Sequence, residues 1–249
     1  MWKGSIGFGL VNVPVEVVTA SRDLDYHFRE LHAKDGARVR HHRFCKKDGK
    51  EVTWEEVGRG IEVDGEMVVL TDQELEKIQP DRSQTIEIES FAALDEVDPI
   101  YFDHPYFLQP GNRSDGTLRA YSLLVEAMRG SNQVAIGRFV MRTKEYLAAV
   151  RERDGVLALS TMRYADEVRS PDILPEFDVK PDKEAVKDAI AVIDERTVEW
   201  DPSNYTDCYR LRLKKVIDSK RKGKTVKAPE PHDAEDLKPA PDLMEALRK

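Results

Sequence analysis

Cysteine is almost missing from this sequence of 249 residues, where Cys45 and Cys208 are the only two. Two thiols exclude a disulfide-stapled framework and fit a reducing compartment, so the fold has to rest on its core. Long hydrophobic runs are missing too. No stretch of about 18 apolar residues occurs, and no membrane-spanning helix is expected. Met1 to Pro14 lack a charged leader, an apolar segment and a small-residue cleavage site, so they read as fold and the chain as cytoplasmic. Positive charge is in deficit: the formal net charge is −8. That excludes a body that is basic all over, the usual footprint of a domain that neutralises phosphates. Catalytic signatures are lacking as well. Gly4, Gly7 and Gly9 lie inside a strand-like run with no following P-loop lysine, and neither cysteine sits in a nucleophile motif. No cofactor is expected, and the chain reads as a non-enzyme.

What is present is a core and a pattern of turns. Apolar residues make up 40% of the chain, enough for a sizeable interior. Residues 5–20 read as one β-run, with Ile6, Phe8 and Leu10 alternating against Gly7, Gly9 and Val11. Glycines inside it predict a bulge or a close backbone approach, as at a barrel seam, and Pro14 predicts an edge or an end. Asp-Gly pairs at 35–36, 48–49, 64–65 and 154–155 predict hairpins. Strands are expected at 84–91, 99–108, 133–141, 145–150 and 155–162. Helices are expected from Thr71 to about Ile78 behind a capping box, from Thr117 to Arg129 ending at Gly130, over Lys183 to Glu195, and from Ser203 to about Lys222. Residues 225–249 are polar and proline-rich, ending in a short helix from Asp242 to Lys249 with Leu243, Met244 and Leu247 on one side. No internal repeat is evident.

Charge is uneven along the chain. Arg29, Lys34, Arg38, Arg40, Arg43, Lys46, Lys47 and Lys50 stand against Glu30, Asp35 and Asp48, whereas Glu62 to Glu96 is strongly acidic. On an extended strand Arg38, Arg40 and His42 would face one way and Val39, His41 and Arg43 the other, which is poor core material and suits an arm. Ten extended residues reach about 33 Å, enough to cross a duplex whose major groove is about 12 Å wide. Few aromatics accompany these cations, so phosphate contact without base stacking is the expected mode. Taken alone, a merely solvated basic hairpin explains the stretch as well. His27, His32, His41, His42 and Cys45 invite a zinc reading, but Asp48 stands where a second cysteine would complete a pair, and solvated or phosphate-facing histidines are the simpler account. Asp95, Glu96 and Asp98 would suit a metal-dependent nuclease only with a second carboxylate cluster and a partner base, and neither stands out.

Four ordered blocks carry a resemblance. WKGSIGFGLVNVPV (Trp2 to Val15), FRELHAKDGARVRHHRFCKKDGKEV (Phe28 to Val52), RYADEVRSP (Arg163 to Pro171) and DPSNYTDCYR (Asp201 to Arg210) are similar to successive segments of bacterial Ku proteins. The resemblance runs to about Lys222. It implies a mainly β fold with some α: a Ku-type β-barrel core over 1–175 with a protruding strand-rich arm at about 24–66, and a helical C-terminal region over 176–224. It also implies sequence-independent binding of double-stranded DNA ends by a ring-shaped homodimer in the nucleoid, and recruitment of an ATP-dependent end-joining DNA ligase. The eight arm cations take the DNA-facing role as a group. The ligase contact falls on the region after Pro181 and on Leu243, Met244 and Leu247. Two other classes compete: a nuclease using Asp95 and Asp98, and a scaffold for proteins only.

Overall fold

The structure, a computed structural model, describes residues 2–81, 83–175 and 179–224. The expected linker and terminal helix, with Leu243, Met244 and Leu247, lie outside the described residues. The chain divides into two units, Met1–Leu24 with Arg29–Pro171, and Asp25–Phe28 with Asp172–Lys249.

The first unit is built on strands. In chain order they are β1 (Trp2–Phe8), β2 (Val11–Thr19), β3 (Arg59–Val63), β4 (Glu66–Leu70), β5 (Thr85–Ala93), β6 (Phe102–Pro110), β7 (Gln133–Met141), β8 (Lys144–Arg153) and β9 (Val156–Met162). Seven of them close a barrel in the spatial order β1-β2-β6-β9-β8-β7-β5, while β3 and β4 form a separate hairpin. Closure removes the unpaired edges of the sheet. The seam is the parallel pairing of β1 with β5, where Ser5, Ile6 and Gly7 oppose Thr85, Ile86 and Glu87. The glycines expected to mark a close approach do so here: a Cβ on Gly4 would lie 2.0 Å from the Gln84 carbonyl oxygen. Alternation is clearest on β2, where Val13, Val15 and Val17 point into the core. They meet Ile6, Ile86, Leu108, Phe139, Leu157 and Leu159 in one cluster.

The single strand expected at 5–20 is two strands. Gly9, at φ +57°, turns the chain so that Phe8 pairs with Val11. Pro14 accordingly sits inside β2, opposite Ser5, one residue before the pairing with β6 begins at Val15. Two of the Asp-Gly pairs make the tight hairpins their chemistry predicts. At Asp64-Gly65 and Asp154-Gly155 both residues have positive φ, as a two-residue turn with right-handed strand twist requires.

Helix α1 (Asp72–Lys77) opens behind Thr71, whose hydroxyl accepts from the Glu74 amide while the Glu74 carboxylate accepts from the Thr71 amide, the expected reciprocal cap. Helix α2 (Asp115–Ser131) runs through Gly130 and ends at Asn132, which takes the left-handed conformation instead. It joins the end of β6 to the start of β7 and buries Tyr121, Leu124, Val125 and Met128 in the barrel core. A cavity of about 660 Å³ opens among Trp2, Thr19, Tyr106, Arg142, Lys144 and Tyr146, at the barrel end from which β2 leads into the arm.

In the second unit, α3 (Lys183–Arg196) starts on an Asp182 cap. Helix α4 (Cys208–Arg221) begins five residues later than the expected Ser203: Pro202–Asn204 form only a short turn, and the Asp207 carboxylate caps the helix through the Arg210 amide at 2.9 Å.

Candidate nucleic-acid interface

The chain leaves the barrel at Thr19 and returns to it at Thr85. Between Ser21 and Val69 every residue is exposed except Cys45 and Val52, which are half-buried. Such a segment has no core of its own, and local hydrogen bonds hold its shape. Two turns carry most of them, and they are copies of one another. The Asp35 and Asp48 carboxylates accept the amides of Ala37 (3.0 Å) and Lys50 (3.2 Å). Gly36 and Gly49 donate to the carbonyls of His32 (2.8 Å) and Cys45 (2.9 Å), with φ of +73° and +70°. His32 and Cys45 in turn donate to Ala37 and Lys50, both at 2.8 Å. A single antiparallel bridge closes each turn, Leu31 to Arg38 and Phe44 to Glu51. The sequence LHAKDGARV thus returns 13 residues later as FCKKDGKEV.

That repeat corrects the reading of a chain without one. It was hidden because the copies share only Lys, Asp, Gly and Val at matching positions, and a comparison at an offset of 13 would have found it. These two Asp-Gly pairs therefore make tight knuckles with one bridge each, not hairpins between strands. Residues 39–43 belong to no strand, so the alternating-face description of Arg38 to Arg43 does not hold.

Every arm cation singled out from the sequence is exposed: Arg29, Lys34, Arg38, Arg40, Arg43, Lys46, Lys47 and Lys50. Arg43 differs from the others, since its guanidinium lies 4.6 Å above the Trp54 ring, a cation–π contact that props one turn. Among the described residues the other seven form no ion pair, whereas the acids nearby are engaged. Glu30 pairs with His41 at 2.8 Å, Asp35 with His32 at 2.9 Å, and Glu51 with His42. The Asp35 carboxyl is held below its ordinary range, first by the Ala37 amide and then by His32, and so stays ionised as a turn cap. Acids committed to histidines and backbone leave the lysines and arginines to face solvent with their field unscreened by direct partners.

The knuckles bear on the zinc reading as well. His32 and Asp35, like Cys45 and Asp48, take the first and fourth positions of their turns, but both aspartates already cap backbone amides. Among the described residues no group of three or more such side chains is arranged around a metal position. In the acidic turn, Asp98 caps the Ile100 amide at 2.9 Å and Glu96 reaches the Ala93 amide, so these carboxylates shape short helical turns.

Comparison with known proteins accords with this architecture. The family model described as the Ku70/Ku80 beta-barrel domain matches residues 7–189. Non-homologous end joining protein Ku 1 of Saccharopolyspora erythraea is 39% identical over 253 residues, covering 100% of this chain and 76% of that protein. Non-homologous end joining protein Ku of Bacillus subtilis is 37% identical over 255 residues, covering 100% and 80%. Its counterpart in Frankia casuarinae is 38% identical over 249 residues, with this chain spanning only 62% of that protein. A closed seven-stranded barrel, a family model over most of its length and end-to-end similarity to these relatives place the chain in the Ku family.

Proposed function

We propose that this protein binds ends of double-stranded DNA without reading their sequence and acts in non-homologous end joining, the process for which its relatives are named. The observation that carries the reading is the arm: seven exposed cations without ionic partners, on a segment that makes no core. Sequence-independent affinity needs phosphate contacts and nothing that reads base edges. An end can be recognised by topology alone if the binder encircles the duplex, and we assign the arm to that closure, in a ring made by two copies of the chain. Pairing of copies is supported by apolar side chains a solitary chain leaves in water, among them Ile61, Val63, Met67, Val68 and Val69 on the β3–β4 hairpin. The ring protects the end and holds it for an ATP-dependent end-joining ligase, engaged through the region after Pro181, with Leu243, Met244 and Leu247 as contact candidates. The protein itself performs no chemistry and works at the nucleoid in the cytoplasm.

The test is the double reversal Arg38→Glu, Arg40→Glu, read by fluorescence anisotropy on a short blunt duplex over a salt series. Loss of two phosphate contacts per chain lowers the slope of log affinity against log salt by about 2 per chain. Binding at moderate salt is lost while the thermal melt stays that of the parent. Unchanged affinity and slope in a folded variant would move the DNA surface off the arm.

A further inference from the structure

We infer that helix α4 is a second site for the DNA backbone, separate in sequence from the arm and built on the reading of the protein as a duplex binder. From Cys208 to Lys224 the chain carries Arg210, Arg212, Lys214, Lys215, Lys220, Arg221, Lys222 and Lys224 against Asp218 alone, a formal +7 inside a chain of −8. The other long helices show nothing of the kind: α2 balances Arg119 and Arg129 against Asp115 and Glu126, and α3 carries more acids than bases. All eight cations of the α4 segment are exposed except Arg210, which is half-buried, and none forms an ion pair among the described residues.

Their order on the helix leaves one short apolar stripe, with cations around most of the remaining surface. Tyr209, Leu213, Val216 and Ile217 follow the i, i+4, i+7, i+8 spacing of an apolar stripe. Arg210, Lys214 and Arg221 lie along the adjoining side, at i, i+4 and i+11, with Asp218 and Lys215 further round, Arg212 beyond the stripe's other edge and Lys220, eleven residues after Tyr209, within the stripe near the helix end. Unpaired cations at this density repel one another, and like charges at i, i+4 cost helix stability. A polyanion removes that cost and a neutral partner does not. The helix is about 21 Å long, and duplex DNA presents one charge per about 1.7 Å of its axis. Several of these side chains can therefore reach phosphates at once, in any sequence. The helix C-terminus adds to the match, because Lys220 and Arg221 also offset the negative end of the helix dipole and hold the last turn together without DNA.

The experiment uses the full chain with Lys214→Gln, Lys215→Gln, Lys220→Gln and Arg221→Gln, titrated with the same blunt duplex over the same salt series. Loss of two to four phosphate contacts makes the slope shallower by about 2–4 and lowers affinity at ~0.1 M salt on the order of a hundredfold or more. The charge-keeping variant Lys214→Arg, Lys215→Arg, Lys220→Arg retains the parent slope. Should the fourfold variant not fold, Lys215→Gln with Lys222→Gln reads the same effect at about half its size. A parent that binds duplex and a Gln variant with unaltered slope and affinity would overturn this inference, hand the basic face to an acidic protein partner and leave the arm reading intact. A parent that binds no duplex at low salt would overturn the reading of the protein as a DNA binder.

Discussion

Replacing Tyr121 by Phe removes one oxygen from the middle of the fold. The Tyr121 hydroxyl donates to the Leu108 carbonyl at 2.6 Å and accepts from the Leu157 amide at 3.0 Å. Leu108 and Leu157 oppose each other at the end of the β6–β9 ladder, so the hydroxyl of α2 is wedged where the two strands would otherwise bond directly. Burial pushes the Tyr121 phenol up from its ordinary value, which keeps the proton it donates. Leu108 and Leu157 are 1% and 0% exposed, so neither freed backbone group finds bulk water. A buried group left without a partner costs about 1–3 kcal/mol, and two are left here. Set against the small gain from no longer desolvating a hydroxyl, Tyr121→Phe loses about 2–4 kcal/mol. For a chain of this size that lowers Tm by roughly 5–15 °C. Urea denaturation followed by circular dichroism gives the free energy, and differential scanning calorimetry gives Tm. A loss below about 0.5 kcal/mol would refute the reasoning, because it would mean that β6 and β9 close on each other or on water once the hydroxyl is gone.

Two further predictions concern the barrel. Gly137→Ala places a Cβ 2.1 Å from the Glu87 carbonyl oxygen, beside the irregular pairing of β5 with β7 between Ile88 and Ser90. Backbone has to move, so the variant loses soluble expression or melts well below the parent in a thermal-shift assay. Glu16 lies in a cross-strand row between Lys3 and Gln109, bonded to them at 2.6 and 2.8 Å. Lys3 first, then Gln109, holds its carboxyl below the ordinary 4.5. A depressed carboxyl stabilises the fold above its unfolded pKa, and that contribution disappears as pH falls through the folded value. Denaturation midpoints at neutral pH and at acid pH should therefore diverge less for Glu16→Gln than for the parent. An equal acid loss in both would exclude Glu16 from it.

The barrel was more legible in the sequence than the arm, for a physical reason. Strands β7, β8 and β9 carry runs of apolar residues, buried in succession at Ala148–Val150 and Leu157–Leu159, and are joined by tight turns, so those runs and the Asp154-Gly155 pair mark them in the sequence. Gly4 and Gly7 announced a close approach because a side chain there has nowhere to go. The split of residues 5–20 into two strands is hard to see in the sequence because Gly9-Leu10, which turns the chain between Phe8 and Val11, is not one of the strong hairpin pairs. The role of Tyr121 has no local signature, since its partners lie 13 and 36 residues away in sequence. In the arm no burial imposes a period, and charge alone drew attention to it. The eight cations are exposed, but they stand on two capped turns and not on the strand that the sequence suggests. The α4 charge is equally visible in the sequence, but a basic helix on its own reads as a solvated face.

Threading onto an end is tested by comparing a linear duplex with a covalently closed circle of the same sequence and length at matched salt. If the protein threads onto ends, the linear form is bound and the circle is not, and blocking both ends of the linear form with bulky adducts abolishes binding. Equal affinity for linear DNA and circle would contradict it, showing an open basic surface where a closed ring is proposed.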